Sequence, residues 1–111
     1  MNLTGRAPYQ KGQKPTVSKP LRNHARGQAC TLRLGNCASP ETVVFAHLRR
    51  FSIAGMGQKP DDLIGVYACA TCHDALDRRR GDNVGDGEIM RALVETLLRR
   101  RADGLISIKG D

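Results

Sequence analysis

Apolar positions along the chain gather in a few stretches, set apart by polar segments bearing glycine and proline. Residues 1–19 hold Gly, Pro, Gln and Lys with little apolar periodicity, which predicts a flexible basic arm ahead of a folded unit spanning 20–111. Residues 20–27 predict one or two helical turns, with Ser18 as cap, Pro20 in the first turn and Gly27 as the stop. Residues 31–34 have strand character and Gly35-Asn36 is a turn dipeptide, so a short hairpin is expected between Cys30 and Cys37. Residues 41–48 read Glu-Thr-Val-Val-Phe-Ala-His-Leu, whose β-branched and aromatic content predicts a strand ending near His47. A loop carrying Gly55, Gly57 and Pro60 follows, and residues 63–68 predict a second strand.

From Cys72 the pattern turns helical and runs to Arg78, Arg79 and Arg80, with Gly81 as the stop. The longest helix is expected over 88–102. Ile89, Ala92, Leu93, Thr96, Leu97 and Arg100 fall at spacings of three and four, Asp86 can cap its start and Gly104 can end it. Residues 105–108 suggest a short final strand, and this C-terminal unit reads as scaffold. The fold class is α+β.

Length and composition narrow this picture. A chain of 111 residues implies one domain, with no Trp and only two Phe and two Tyr to fill its core. Small cores of this kind are often reinforced by a metal or by disulfides, and four Cys could serve either way. The N-terminus is polar and basic, without the apolar stretch of a secretory signal, and no run approaches a membrane span. The expectation is a cytoplasmic protein in a reducing setting, where Cys pairs favour metal over disulfide. The net charge of +7, with no acidic residue before Glu41, points to a polyanionic partner, most often nucleic acid.

The candidate chemistry centres on Cys69-Ala70-Thr71-Cys72-His73-Asp74-Ala75-Leu76-Asp77. Cys69 and Cys72 have the spacing of a metal knuckle. Cys30 and Cys37 are separated by six intervening residues, wider than common knuckles, and alone would be a weak signal. Together the four can surround one structural Zn²⁺, with disulfides or free thiols as the alternatives. His73 and Asp77 stand four apart on one helix face and can offer a nitrogen and a carboxylate to a second divalent ion. His47 suits the role of base near neutral pH, and Asp62 (or Asp61) could orient it. Arg49, Arg50, Arg78 and Arg79 are candidate phosphate contacts, although the later pair also suits a helix C-terminus. His24 has no ligand partner at a recognisable spacing and is expected to be an exposed histidine. No glycine-rich phosphate loop and no G-x-S-x-G elbow is present.

A strand ending in His, a loop, a short strand and C-x-x-C-H opening a helix resembles the HNH, or ββα-metal, nucleases. The resemblance implies that His47 is the general base, that Asp62 takes the place of the Asn that steadies the loop, and that His73 ligates the catalytic metal, with Asp77 as a second ligand. A closer likeness is to the YbcO-type "putative nuclease" family of lambdoid prophages. It rests on Ala25-Arg26-Gly27, Pro40-Glu41-Thr42, Ala46-His47-Leu48-Arg49, Gly55, Gly57, Lys59-Pro60, Asp62-Leu63-Ile64, Ala68-Cys69, Cys72-His73-Asp74 and Asp77-Arg78-Arg79, in that order over about residues 20 to 108. The chain departs from the broad HNH pattern at three points. Ala46 stands where an Asp ligand often precedes the base, Asp62 replaces Asn, and the first Cys pair is wide. The metal would then have few protein ligands until a DNA phosphate completes its shell.

The expectation is therefore a small zinc-stabilised ββα-metal domain. It would be a phage-encoded, metal-dependent DNA endonuclease using Mg²⁺, Mn²⁺ or Zn²⁺, acting as a monomer or weak homodimer. The alternatives are a non-catalytic zinc-knuckle module that binds nucleic acid, and a zinc-stabilised protein-interaction module.

Overall fold

The computed structural model describes residues 15–48, 60–77 and 84–110. In chain order the elements are α1 (Lys19–Asn23), a single 3₁₀ turn (Pro40–Thr42), β1 (Val44–His47), β2 (Gly65–Ala68), α2 (Ala70–Asp77) and α3 (Asp86–Ala102). This is a small α+β arrangement around a two-stranded sheet. β1 and β2 are antiparallel, with Val44 opposite Ala68, Phe45 opposite Tyr67, Ala46 opposite Val66 and His47 opposite Gly65. A two-stranded ribbon is marginal by itself. Here α3 packs on β2, α1 reaches β1, and α2 touches both strands. That cover explains why all four residues of β2 are buried.

The core joins Val43, Phe45, Ala46 and Leu48 around β1 to Val66, Tyr67 and Ala68 of β2, Leu32, and Ile89 and Ala92 of α3. Gly65 is where the two strands come closest around a large side chain. A Cβ there would meet the Phe45 ring and sit 2.6 Å from the Ala46 carbonyl oxygen. The ring occupies the space a side chain would need, so only glycine fits opposite His47.

α3 buries Ile89, Ala92, Thr96 and Arg100, the face that its three-and-four spacing predicts. Its start differs from expectation. Asp86 is the first helical residue and not the cap; Gly85 holds the cap position, and its N–H donates to Glu88 Oε2 at 3.2 Å. At the other end Gly104 takes a positive φ of 79° and the Leu105 N–H returns to the Arg100 carbonyl at 2.9 Å. That closure uses the backbone donor that a strand would have needed, so residues 105–108 form no strand.

The expected strand at 31–34 is also absent. Thr31 alone pairs in strand fashion, with its N–H donating to the Tyr67 carbonyl at 2.8 Å. The chain then bends through positive φ at Arg33, Gly35 and Asn36. The bend turns the Arg33 N–H to Cys30 Sγ and the Leu34 N–H to Cys72 Sγ, each at 3.5 Å. Sulfur acceptors replace the ladder partners a hairpin would offer.

The arginines of α3 hold this loop from outside. Arg91 Nη2 donates to the Leu32 carbonyl at 2.5 Å, Arg99 Nη1 to the Ala29 carbonyl at 2.6 Å, and Glu95 accepts both terminal nitrogens of Arg33 at 2.6 Å. The hydrogen-bonded Arg33 guanidinium holds the Glu95 carboxyl below its ordinary range.

α2 begins at Ala70, two residues before the sequence pattern turns helical. The Ala70 N–H donates to Thr42 Oγ1 at 3.0 Å, so a side chain 28 residues away serves as the cap. Residues 15–18, placed in the arm by composition, lie against 61–62. Asp62 N–H donates to the Thr16 carbonyl at 2.8 Å, and Ser18 N–H to Asp62 Oδ2 at 2.7 Å. Ser18 also caps α1, accepting from the Leu21 N–H. Among the described residues no helix is long and apolar enough to cross a membrane.

Candidate functional site

The four cysteines converge. Cys30 and Cys37 come from the bent loop, Cys69 from the end of β2 and Cys72 from the first turn of α2, and their sulfurs all lie within 4.8 Å of one another. None is in a disulfide. Cys37 Sγ and Cys72 Sγ are 3.8 Å apart. A tetrahedron with Zn–S bonds of about 2.3 Å has an edge of about 3.8 Å, so this spacing suits one zinc shell. Four sulfurs at this spacing are a donor set that suits a soft dication. Burial alone would push Cys69 up, but the N–H groups of Cys72 and Ala38 directed at its sulfur outweigh that and hold it at about 7. Burial pushes the Cys72 and Cys37 thiols up. A dication at the centre would stabilise thiolates on all four sulfurs. The cluster could hold a metal such as zinc, and with four sulfurs it would leave no open position.

The second set of residues behaves differently. His47 ends β1, with Nε2 2.7 Å from Asp62 Oδ1 and the ring edge-on to Phe45 at 4.9 Å between centroids. The other carboxylate oxygen, Asp62 Oδ2, accepts from Arg22 Nη1 at 2.6 Å and from the Ser18 N–H at 2.7 Å. Burial would push the Asp62 carboxyl up; the hydrogen bonds from His47 and Ser18 and the Arg22 charge overcome it and hold the carboxyl below its ordinary range. An ionised carboxylate only accepts. His47 Nε2 must therefore carry the hydrogen, which leaves Nδ1 as the nitrogen able to take a proton.

His73 and Asp77 sit one turn apart on α2, with Nε2 3.0 Å from Asp77 Oδ2, and both are more open to solvent than the buried Cys30, Cys69 and Cys72, while Cys37 is exposed like them. Among the described residues, the cysteines are the group of three or more ligating side chains close enough to share an ion. The structure thus joins His47 to Asp62 and His73 to Asp77, but does not gather these four into one such group. The expected phosphate contacts Arg49, Arg50, Arg78 and Arg79 lie outside the described residues.

Two further residues belong to the surroundings of Asp62. Arg22 gave no signal in the sequence, being one cation among many. Arg100 did: a charged residue on a face otherwise carrying Ile89, Ala92 and Thr96 is out of place unless it is buried for a purpose. His24 is not the exposed residue expected. Its Nδ1 bonds the Tyr67 hydroxyl and its Nε2 lies 2.7 Å from Asp103 Oδ2.

The family model described as "Putative nuclease YbcO" matches residues 19–104. The chain belongs to the YbcO family. Two curated members are each 51% identical over 61 residues, "Putative nuclease YbcO" of Escherichia coli (strain K12) and "Putative nuclease ybcO" of Enterobacteria phage 82. Those matches cover 53% of this chain, which spans 64% of the length of each relative. A solved structure, titled "Structure of a putative bacteriophage protein from Escherichia coli str. K-12 substr. MG1655", aligns with a TM-score of 0.57 at 34% identity, covering 77% of this chain and all of that one. The YbcO match takes in α1 through α3, and with them the four cysteines, His47, Asp62, His73 and Asp77.

Proposed function

We propose that this YbcO-family chain is a metal-dependent DNA endonuclease of the HNH, or ββα-metal, type. The observation that carries the reading is the hydrogen bond from His47 to Asp62, at the end of a strand whose partner β2 runs directly into the Cys-His helix α2. Asp62 holds the imidazole in one tautomer, so that Nδ1 of His47 can take a proton from water attacking the phosphorus. His73 Nε2 and Asp77 Oδ2 would hold a Mg²⁺, Mn²⁺ or Zn²⁺ ion. That ion would supply the positive charge needed on the scissile phosphate and leaving oxygen. Two side-chain ligands leave room for phosphate oxygens and water. Ala46, buried in the sheet where an Asp ligand often stands, adds none. The zinc cluster anchors Cys72 and thereby the direction of α2, on which His73 lies.

DNA is the partner this reading requires. Arg49, Arg50, Arg78 and Arg79, with the part of the basic arm ahead of residue 15, would contact its backbone, and the nuclease domain would take in residues 15–19 together with 20–111. The curated relatives carry nuclease names, and one is a phage protein, which supports action on nucleic acid; the cytoplasm of a bacterial host would be the setting. The protein would work as a monomer or a weak homodimer.

A second reading, a non-catalytic zinc-knuckle module that binds nucleic acid, is favoured by one observation. The His47–Asp62 and His73–Asp77 pairs are not gathered into a three-ligand group among the described residues. Plasmid nicking with added Mg²⁺ or Mn²⁺ separates the two. The nuclease should nick, and His47→Ala should lower the rate on the order of 10²-fold or more while the fold and zinc content stay intact. DNA binding without nicking under any divalent ion would leave the binding module.

A further inference from the structure

The largest fully buried side chain among the described residues is a charged one, Arg100 in the last turn of α3. Its guanidinium spends its donors on backbone and hydroxyl oxygens. Nε donates to the Tyr67 hydroxyl at 3.1 Å and Nη2 to the Leu21 carbonyl at 2.9 Å, while Nη1 donates to the Asp62 carbonyl at 3.0 Å and the Leu63 carbonyl at 3.4 Å. The group also lies 4.3 Å over the Phe45 ring. Burying a cation carries a heavy desolvation cost, and apolar residues of similar volume often fill such a place at no loss of stability. What an apolar residue cannot supply is a rigid planar fork that binds several oxygens at once.

The groups under that fork have one neighbour in common. Asp62 accepts the hydrogen bond from His47 Nε2, and Phe45 packs edge-on against the His47 ring. Arg100 touches both without touching His47. Its Nη1 fixes the main chain of Asp62, and the flat of its guanidinium fixes the ring of Phe45. Arg22 and Ser18 anchor the far carboxylate oxygen of Asp62, the Thr16 carbonyl accepts its N–H, and Arg100 holds its carbonyl.

We infer that Arg100 is a positioning residue for His47, holding Asp62 and Phe45 so that the imidazole keeps the Nε2–H tautomer and presents Nδ1 in a single orientation. The inference rests on the proposed role of His47 as general base, and it assigns α3 a part in the chemistry beyond that of a scaffold. A base displaced by about 1 Å can lose on the order of 10²-fold in rate, and loss of Arg100 removes one hold on each of the two groups that touch the ring.

The test uses the full-length, zinc-loaded chain with Arg100→Met and Arg100→Lys. Two quantities are read: plasmid nicking, and the NMR signal of the His47 ring N–H, assigned by its disappearance in His47→Ala. In the wild type that proton should be protected from solvent exchange by the buried carboxylate. Arg100→Met should lose the protected signal and lower nicking by about 10- to 100-fold, with zinc content and far-ultraviolet circular dichroism unchanged. Arg100→Lys keeps the charge without the fork and should fall between. A folded Arg100→Met protein with the wild-type His47 signal overturns the inference, whatever its activity. If the Met variant does not fold, the Lys variant decides by the same signal: weakened protection supports the inference and wild-type protection overturns it. A wild-type protein that never nicks DNA would remove the nuclease reading, while the His47 signal would still report whether Arg100 positions the ring.

Discussion

Cys72 and His73 are adjacent in sequence and stand in opposite kinds of surroundings. Cys72 is wholly buried, and its sulfur meets three others brought from the bent loop and the end of β2. His73 faces outward, and its side-chain ion-pair partner is Asp77, one turn along the same helix. A site built from distant segments clamps the fold and has no vacancy. A site built from one helix face costs the fold little and stays open to a ligand. Successive residues on a helix point about 100° apart, so one peptide bond is enough to separate the two tasks.

The sharpest way to break this comparison is to replace the two neighbours in turn. Cys72→Ser should unfold the domain. In zinc-finger peptides a structural zinc contributes on the order of 10 kcal/mol, comparable with the whole stability of a small domain. Zinc content after dialysis, expected at one per chain in the wild type, and circular dichroism report the loss. His73→Ala should leave both unchanged and affect only nicking. Equal damage to the fold from both substitutions would mean that the two sites are one.

Asp62 offers a smaller effect on the open side of the comparison. Its carboxyl is held below its ordinary range in the folded protein. It therefore contributes stability that is fully present above the unfolded value of about 4 and is lost as pH falls through the lower folded value. Asp62→Asn should remove that part of the acid-range loss, which thermal unfolding followed between neutral and acid pH would show as a flatter dependence of Tm below pH 4. An unchanged slope would mean that the contacts from His47, Ser18 and Arg22 contribute nothing to the folded state.

The smallest expected effect is at Thr42, whose hydroxyl accepts the Ala70 N–H at the start of the helix that carries both neighbours. Thr42→Ala should cost about 1 kcal/mol, the usual worth of a side-chain helix cap. Chemical denaturation should show a lower midpoint with an unchanged slope. No change would place the start of α2 under the control of the cysteine cluster alone.

The elements that survived the step from sequence to structure are those whose pattern is local. The two strands, the α2 and α3 helices and the Cys69–Cys72 spacing were each legible within their own residues. The failures share a cause. Residues 31–34 have strand-forming side chains, but their donors turn to sulfur. Residues 105–108 look extended, but the Leu105 donor closes α3. In both places a backbone group found a partner that local propensity does not describe.

The sequence by itself determined the family, the Cys69–Cys72 spacing, the order β1–β2–α2 and the apolar face of α3, because spacing and residue chemistry are enough for each. Only the tertiary structure decided that Cys30 and Cys37 meet the later pair in a bend, that Arg22 and Asp62 form an ion pair across 40 positions, that His24 is held between Tyr67 and Asp103, and that Arg100 reaches Asp62. These are long-range contacts of polar groups. Polar side chains have no periodicity that names their partners. The burial that makes them pair, and that makes leaving them unpaired costly, exists only once the chain has closed around them.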